Sequence, residues 1–126
     1  MKKIISTVNA PLAIGPYSQA VEANNTLYIS GQIALDLETS KLIEGDIKEQ
    51  TELVLKNIGA ILEEAGYAYS DVVKSTCLLS DMNNFAAMNE VYASFYPIKA
   101  PARAAYQVVK LPLGALIEIE TIAVKF

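Results

Sequence analysis

A chain of 126 residues suits one compact domain and leaves little room for a second. Apolar residues make up 52% of it and the mean hydropathy is +0.28. That is more apolar surface than so small an interior can hold, so part of it is expected in contacts between subunits. Ten lysines and arginines against fourteen acids give a net charge of −4, and no cationic run exceeds Lys2-Lys3, which disfavours nucleic acid as the main partner.

At the N-terminus, Met1-Lys2-Lys3 and the uncharged stretch from Ile4 to Val21 imitate a secretory signal. Ser6, Thr7, Asn9, Pro11, Gly15 and Pro16 break the apolar block that such a signal needs, and a membrane span needs about 20 mostly apolar residues. Neither a leader nor a membrane anchor is expected. A short strand is expected at Lys3 to Ser6. Thr26 to Gly31 is β-rich and alternating, with Tyr17 to Glu22 as its hairpin partner and Asn24-Asn25 in the turn. Leu37 to Gly45 reads as polar connection. Asp46 followed by Glu49 is a capping-box pattern, and Ile47, Thr51, Val54, Ile58, Ile61 and Ala65 recur at helical spacing up to the stop at Gly66.

Val72 to Leu79 is β-branched and apolar enough for a strand covered on both faces. A second helix is expected from about Met82, with Phe85, Met88, Tyr92 and Phe95 on one side and Pro97 as terminator. Two strands, Ala102 to Leu111 and Leu116 to Lys125, flank the turn Pro112-Leu113-Gly114-Ala115 and read as a terminal hairpin. The order β-β-α-β-α-β-β predicts an α+β fold, with a mixed sheet and both helices on one face. The opposite sheet face then needs a cover, and a second subunit is the natural one.

The chain has no histidine and a single cysteine, Cys77. This removes the histidine-dependent nucleophile systems and the zinc motifs, and it fits a reducing cytoplasm. No Walker loop or GxGxxG follows any strand, so no nucleotide cofactor is expected. Catalysis, if there is any, falls to carboxylates, arginine, tyrosine, hydroxyls, backbone amides and water. Cys77 and the methionines read as core, since no cation or histidine adjoins Cys77 in sequence to lower its pKa.

Three features stand out. Glu118 and Glu120 sit two apart in an apolar strand, so both carboxylates share a face about 7 Å apart. They mark either a solvent-facing edge or a partly dry cleft with one acid as general base or acid. Arg103 is the one arginine, set among Ala102, Ala104 and Ala105. Its planar fork suits a carboxylate ligand, or else an ordinary ion pair with a glutamate. Gly15-Pro16-Tyr17-Ser18 and Ser30-Gly31-Gln32 read either as turn chemistry or as places where a ligand approaches the backbone.

These residues also carry a resemblance. Asn9-Ala10-Pro11, Ala13-Ile14-Gly15-Pro16-Tyr17-Ser18-Gln19-Ala20, Ile29-Ser30-Gly31-Gln32-Ile33 and Val73-Lys74-Ser75-Thr76 appear in order. They are followed by Met88-Asn89-Glu90-Val91-Tyr92, Pro101-Ala102-Arg103-Ala104-Ala105-Tyr106-Gln107-Val108, Leu111-Pro112 and Ile117-Glu118-Ile119-Glu120. From end to end the chain resembles the RidA/YjgF family. The resemblance implies a chorismate-mutase-like homotrimer with clefts between subunits. It also implies cofactor-free hydrolysis of 2-imino acids to 2-keto acids and ammonia, which protects pyridoxal-phosphate enzymes. By position, Arg103 would clamp the substrate carboxylate and Glu118, rather than Glu120, would position water. Tyr17 and Ser30 would line the cleft, and the backbone N–H groups of Gly31 and Ala105 would hold the ligand. Some members have cysteine where Ala105 stands, so no thiol is required there; the segment Tyr96 to Ala100 is shorter than in some members. The alternative is a non-catalytic protein that binds 2-keto acids and regulates others.

Overall fold

The computed structural model describes residues 1–126. Eight regular elements follow one another: β1 (Lys3–Ile5), β2 (Ala20–Ala23), β3 (Thr26–Gln32), α1 (Ile47–Glu64), β4 (Val72–Leu79), α2 (Phe85–Phe95), β5 (Ala102–Gln107) and β6 (Ile117–Val124). The strands form one mixed sheet in the order β1-β2-β3-β6-β4-β5, antiparallel throughout except for the parallel pair β4–β5. Asn24 and Asn25 turn the β2–β3 hairpin with φ of 51° and 60°, the pair of positive values that a tight two-residue hairpin requires.

Helix α1 forms where its sequence signals lie. The Asp46 side chain accepts the Glu49 N–H at 2.9 Å, and Glu49 Oε1 accepts the Asp46 N–H at 3.2 Å. At the far end Gly66 takes φ +80°, donating to Glu63 O, while the Tyr67 N–H reaches Leu62 O at 2.8 Å. This is a Schellman closure. Caps are worth about 1 kcal/mol each, whereas each fully buried leucine or isoleucine contributes roughly 1.5–3 kcal/mol. Packing of Val54, Leu55, Ile58, Ile61 and Leu62 therefore dominates the helix's stability. That face lies on Leu27, Ile29, Cys77, Leu79, Ile117, Ile119 and Ala123 of the sheet. Helix α2 begins one turn later than expected, because Asp81 caps a 3-10 turn at Met82–Asn84 before α2 proper.

The expected hairpin of the last two strands does not form. Strand β6 leaves the Pro112–Gly114 turn and inserts between β3 and β4, while β5 stays at the sheet edge beside β4. The physical reason is coverage. Ile117, Ile119, Thr121 and Ala123 present a fully buried stripe to the helices and suit the centre of the sheet, whereas no residue of β5 is buried. The β4–α2–β5 crossover also supplies the helical connection that a parallel pair needs.

Both helices pack on one sheet face, as expected. In the single chain β4 is covered on that face alone, contrary to the two-sided burial expected of it: Val73 is 40% exposed, and Thr76 and Leu78 are only half-buried. Tyr28 and Tyr106, on the same open face, are each about half exposed. No helix is long and apolar enough to cross a membrane.

Candidate active site

Strand register settles which face each side chain takes. Glu118 pairs with Leu78, which pairs with Tyr106, and all three point to the open face. Arg103 pairs with Ser75, which pairs with Thr121, and both of these are buried against the helices. Within one chain Arg103 and Glu118 therefore stand on opposite sides of the sheet. The structure offers two half-sites rather than one site.

The first half-site is a cleft of about 390 Å³ on the Glu118 side. Tyr17, Gly31 and Glu118 line it together with Leu12, Ile14 and Leu113. Strand β6 is central, so its two acids are not on a sheet edge, though Glu120 is exposed on the open face and Glu118 is half-buried. The Glu118 carboxylate lies directly over Gly31: a Cβ there would meet its Oε2 and, at 2.9 Å, its carboxyl carbon. Any larger residue at 31 would push the Glu118 carboxylate out of this place. Glu118 makes no hydrogen bond or ion pair, and burial, aided by the Glu120 charge, raises its pKa above the ordinary carboxylate value. An unpartnered carboxyl poised in this way is suited to take a proton.

Ser30 does not line this cleft. Its hydroxyl donates to Ser18 O at 2.6 Å, and its N–H to Gln19 O at 3.0 Å, so it ties the Tyr17 segment to β3. Gln19 is a contributor that sequence reasoning passed over. It is 2% exposed; its Oε1 accepts the Thr7 N–H at 2.7 Å, and its Nε2 donates to the carbonyls of Thr7, Ala10 and Pro11. One side chain thus fixes the loop that carries Leu12, Ile14 and Tyr17.

The second half-site surrounds Arg103. Its guanidinium donates to Asn89 Oδ1 at 2.7 Å and lies against the rings of Tyr92 and Phe85, all from α2 or its first residue. Within the chain it forms no ion pair with a glutamate. Ala105 follows on the same face of β5. The Val108 N–H donates to Leu79 O, so by strand alternation the Ala105 N–H points away from β4, toward the free sheet edge. Cys77 is buried beneath, its thiol pushed up to about 11 by burial, which suits a core residue and not a nucleophile. No three His, Cys, Asp or Glu side chains converge as metal ligands would.

The profile of the family described as Endoribonuclease L-PSP matches residues 7–125. Among curated proteins, the chain is 51% identical over 125 residues to the 2-iminobutanoate/2-iminopropanoate deaminase of mouse, covering 99% of this chain and 93% of that one. The crystal structure of RidA from an Antarctic Psychrobacter superposes with a TM-score of 0.94 at 49% identity, over 98% of this chain and 99% of that one. Escherichia coli TdcF with bound serine gives the same TM-score at 40% identity, with 98% and 99% covered.

Proposed function

Since the chain belongs to the Endoribonuclease L-PSP family, which includes RidA and YjgF proteins, we propose that it is a 2-iminobutanoate/2-iminopropanoate deaminase whose site forms between subunits. The observation that carries this reading is the separation of two unpaired, complementary groups. Arg103 is a cation without an acid, and Glu118 is an acid without a cation, on opposite faces of one sheet. A neighbouring copy of the chain brings the Glu118 cleft of one protomer against the Arg103 edge of another. Such head-to-tail contacts close into a ring, and a homotrimer agrees with the apolar open face of the sheet.

In that cleft the Arg103 fork grips the carboxylate of a 2-imino acid and sets the C=N carbon in place. The outward N–H of Ala105 and the backbone of Gly31 hold the ligand, and Tyr17 closes over it. Glu118 orients a water, accepts its proton as the oxygen bonds to the imine carbon, hands that proton to the imine nitrogen, and then relays the new hydroxyl's proton to the departing amine. The resulting carbinolamine loses ammonia as its C–N bond breaks, and the 2-keto acid remains. The chain's own groups suffice, so the reading requires no cofactor. The serine bound to the E. coli relative is an amino acid with the same carboxylate handle.

The family description names an endoribonuclease. A chain of net charge −4 with one arginine and no histidine offers little to a phosphate backbone, and a named deaminase matches nearly its whole length. The lone reduced Cys77 supports action in the cytoplasm. The test is ammonia or keto-acid release from imine generated in situ by a serine or threonine dehydratase. Wild type should accelerate release, and Arg103→Ala should lower kcat/KM at least about a hundredfold, the scale of a lost charge partner, with assembly intact. An active Arg103→Ala protein would sink the clamp. No acceleration by assembled wild type would favour a 2-keto-acid-binding regulator.

A further inference from the structure

Arg103 is held in an unusual way for a lone cation. A guanidinium has five N–H donors, and its hydrogen bond in this chain, from Nη1 to Asn89, occupies one of them. The rest of its support is aromatic: the guanidinium carbon lies 4.8 Å from the centre of the Tyr92 ring and 5.5 Å from that of Phe85. Within about 6 Å of a ring centre, such an attraction is worth from about twofold to thirtyfold in an equilibrium, more as water is excluded. Tyr92 is itself 5% exposed, so its ring is the drier of a cation's possible supports.

The other end of Tyr92 is equally odd. Its buried hydroxyl clusters with those of Ser75 and Tyr96. The Tyr92 and Tyr96 rings stand 4.8 Å apart, and Ser75 lies at the register position opposite Arg103. Buried hydroxyls carry a desolvation cost. Rule-breaking polar groups of this kind gather where a fold serves a site.

We propose that Tyr92 is the positioning residue of the carboxylate clamp: its ring face sets the plane of the Arg103 guanidinium. The inference rests on the reading of Arg103 as the group that grips a substrate carboxylate. It assigns Tyr92 no contact with the reacting atoms.

The experiment is calorimetric titration of the assembled protein with 2-oxobutanoate, which carries the carboxylate and does not react. Tyr92→Phe keeps the ring face and should bind within about threefold of wild type. The same position carrying a trifluorinated phenylalanine fills nearly the same volume but loses the negative face, and should bind about fivefold more weakly than Tyr92→Phe. Equal affinities for these two proteins would overturn the proposal, because a ring that only fills space is indifferent to its charge distribution. In turnover, Tyr92→Leu should raise KM about tenfold with kcat within about twofold. Equal loss in both, or a fall in kcat alone, would speak for a structural role and against positioning. The titration needs no turnover, so wild type that binds the keto acid and hydrolyses no imine overturns the deaminase reading alone.

Discussion

Glu118 is a carboxylate whose surroundings make it a proton acceptor under conditions where an ordinary glutamate is already ionised. Burial is the larger cause of its raised pKa, and the Glu120 charge on the same strand face adds to it. As general base it works only when ionised, so the acid limb of kcat/KM should lie above the ordinary value of 4.5. Glu120→Gln removes the like charge and leaves the burial. The limb should move to lower pH while staying above the ordinary carboxylate value, and a pH–rate profile that does not move would detach the two acids. Stability carries the same sign. A carboxyl whose pKa rises on folding favours the folded state below 4.5 and loses that contribution as pH rises through its folded pKa. Glu118→Gln should thus be the more stable protein at neutral pH, with the advantage vanishing in acid. Glu118 and Arg103 were legible in the sequence because a charge amid apolar residues contradicts its surroundings. Tyr92 was not, since an aromatic at helical spacing reads as core, and what sets it apart is the cation above it.

Elements were legible to the extent that their signals are local. Helix α1 and its two ends follow from Asp46, Glu49, the apolar spacing and Gly66, all contained in one stretch of chain. The partner of a strand is not a local property. Two strands on either side of Pro112–Gly114 read as a hairpin, and only competition for the sheet centre sends β6 between β3 and β4. The loop at 7–11 was opaque for another reason: its order resides in Gln19, a residue type that ordinarily faces water. Gln19→Leu keeps the shape and strands the buried Thr7 N–H with three carbonyls that lose their donor. Urea unfolding should report a loss of roughly 2–3 kcal/mol, the upper end of the cost of unpaired buried groups. KM should rise as well, because the same loop carries Tyr17 and Ile14 into the cleft. An unchanged KM at reduced stability would confine Gln19 to a structural part.

At the scale of the whole molecule, the opposed faces of Arg103 and Glu118 make a claim about subunits that mixing can test. Neither Arg103→Ala nor Glu118→Gln should be active as a pure assembly, since every cleft lacks one of its two groups. Unfolding the two variants together and refolding them in equal amounts gives rings in which neighbours are drawn at random. A cleft is whole when its arginine comes from a Glu118→Gln chain and its glutamate from an Arg103→Ala chain. Each choice has even odds, so about one quarter of the clefts should be restored, and the mixture should recover about that share of wild-type activity per subunit. If both groups served a cleft within one chain, no mixture could contain a whole one and the activity would stay at the level of the parents. Mixing without unfolding supplies the control, as stable rings that do not exchange should remain inactive. Recovery well above one quarter would mean that one of the two variants was never fully disabled, which the pure assemblies would already have revealed.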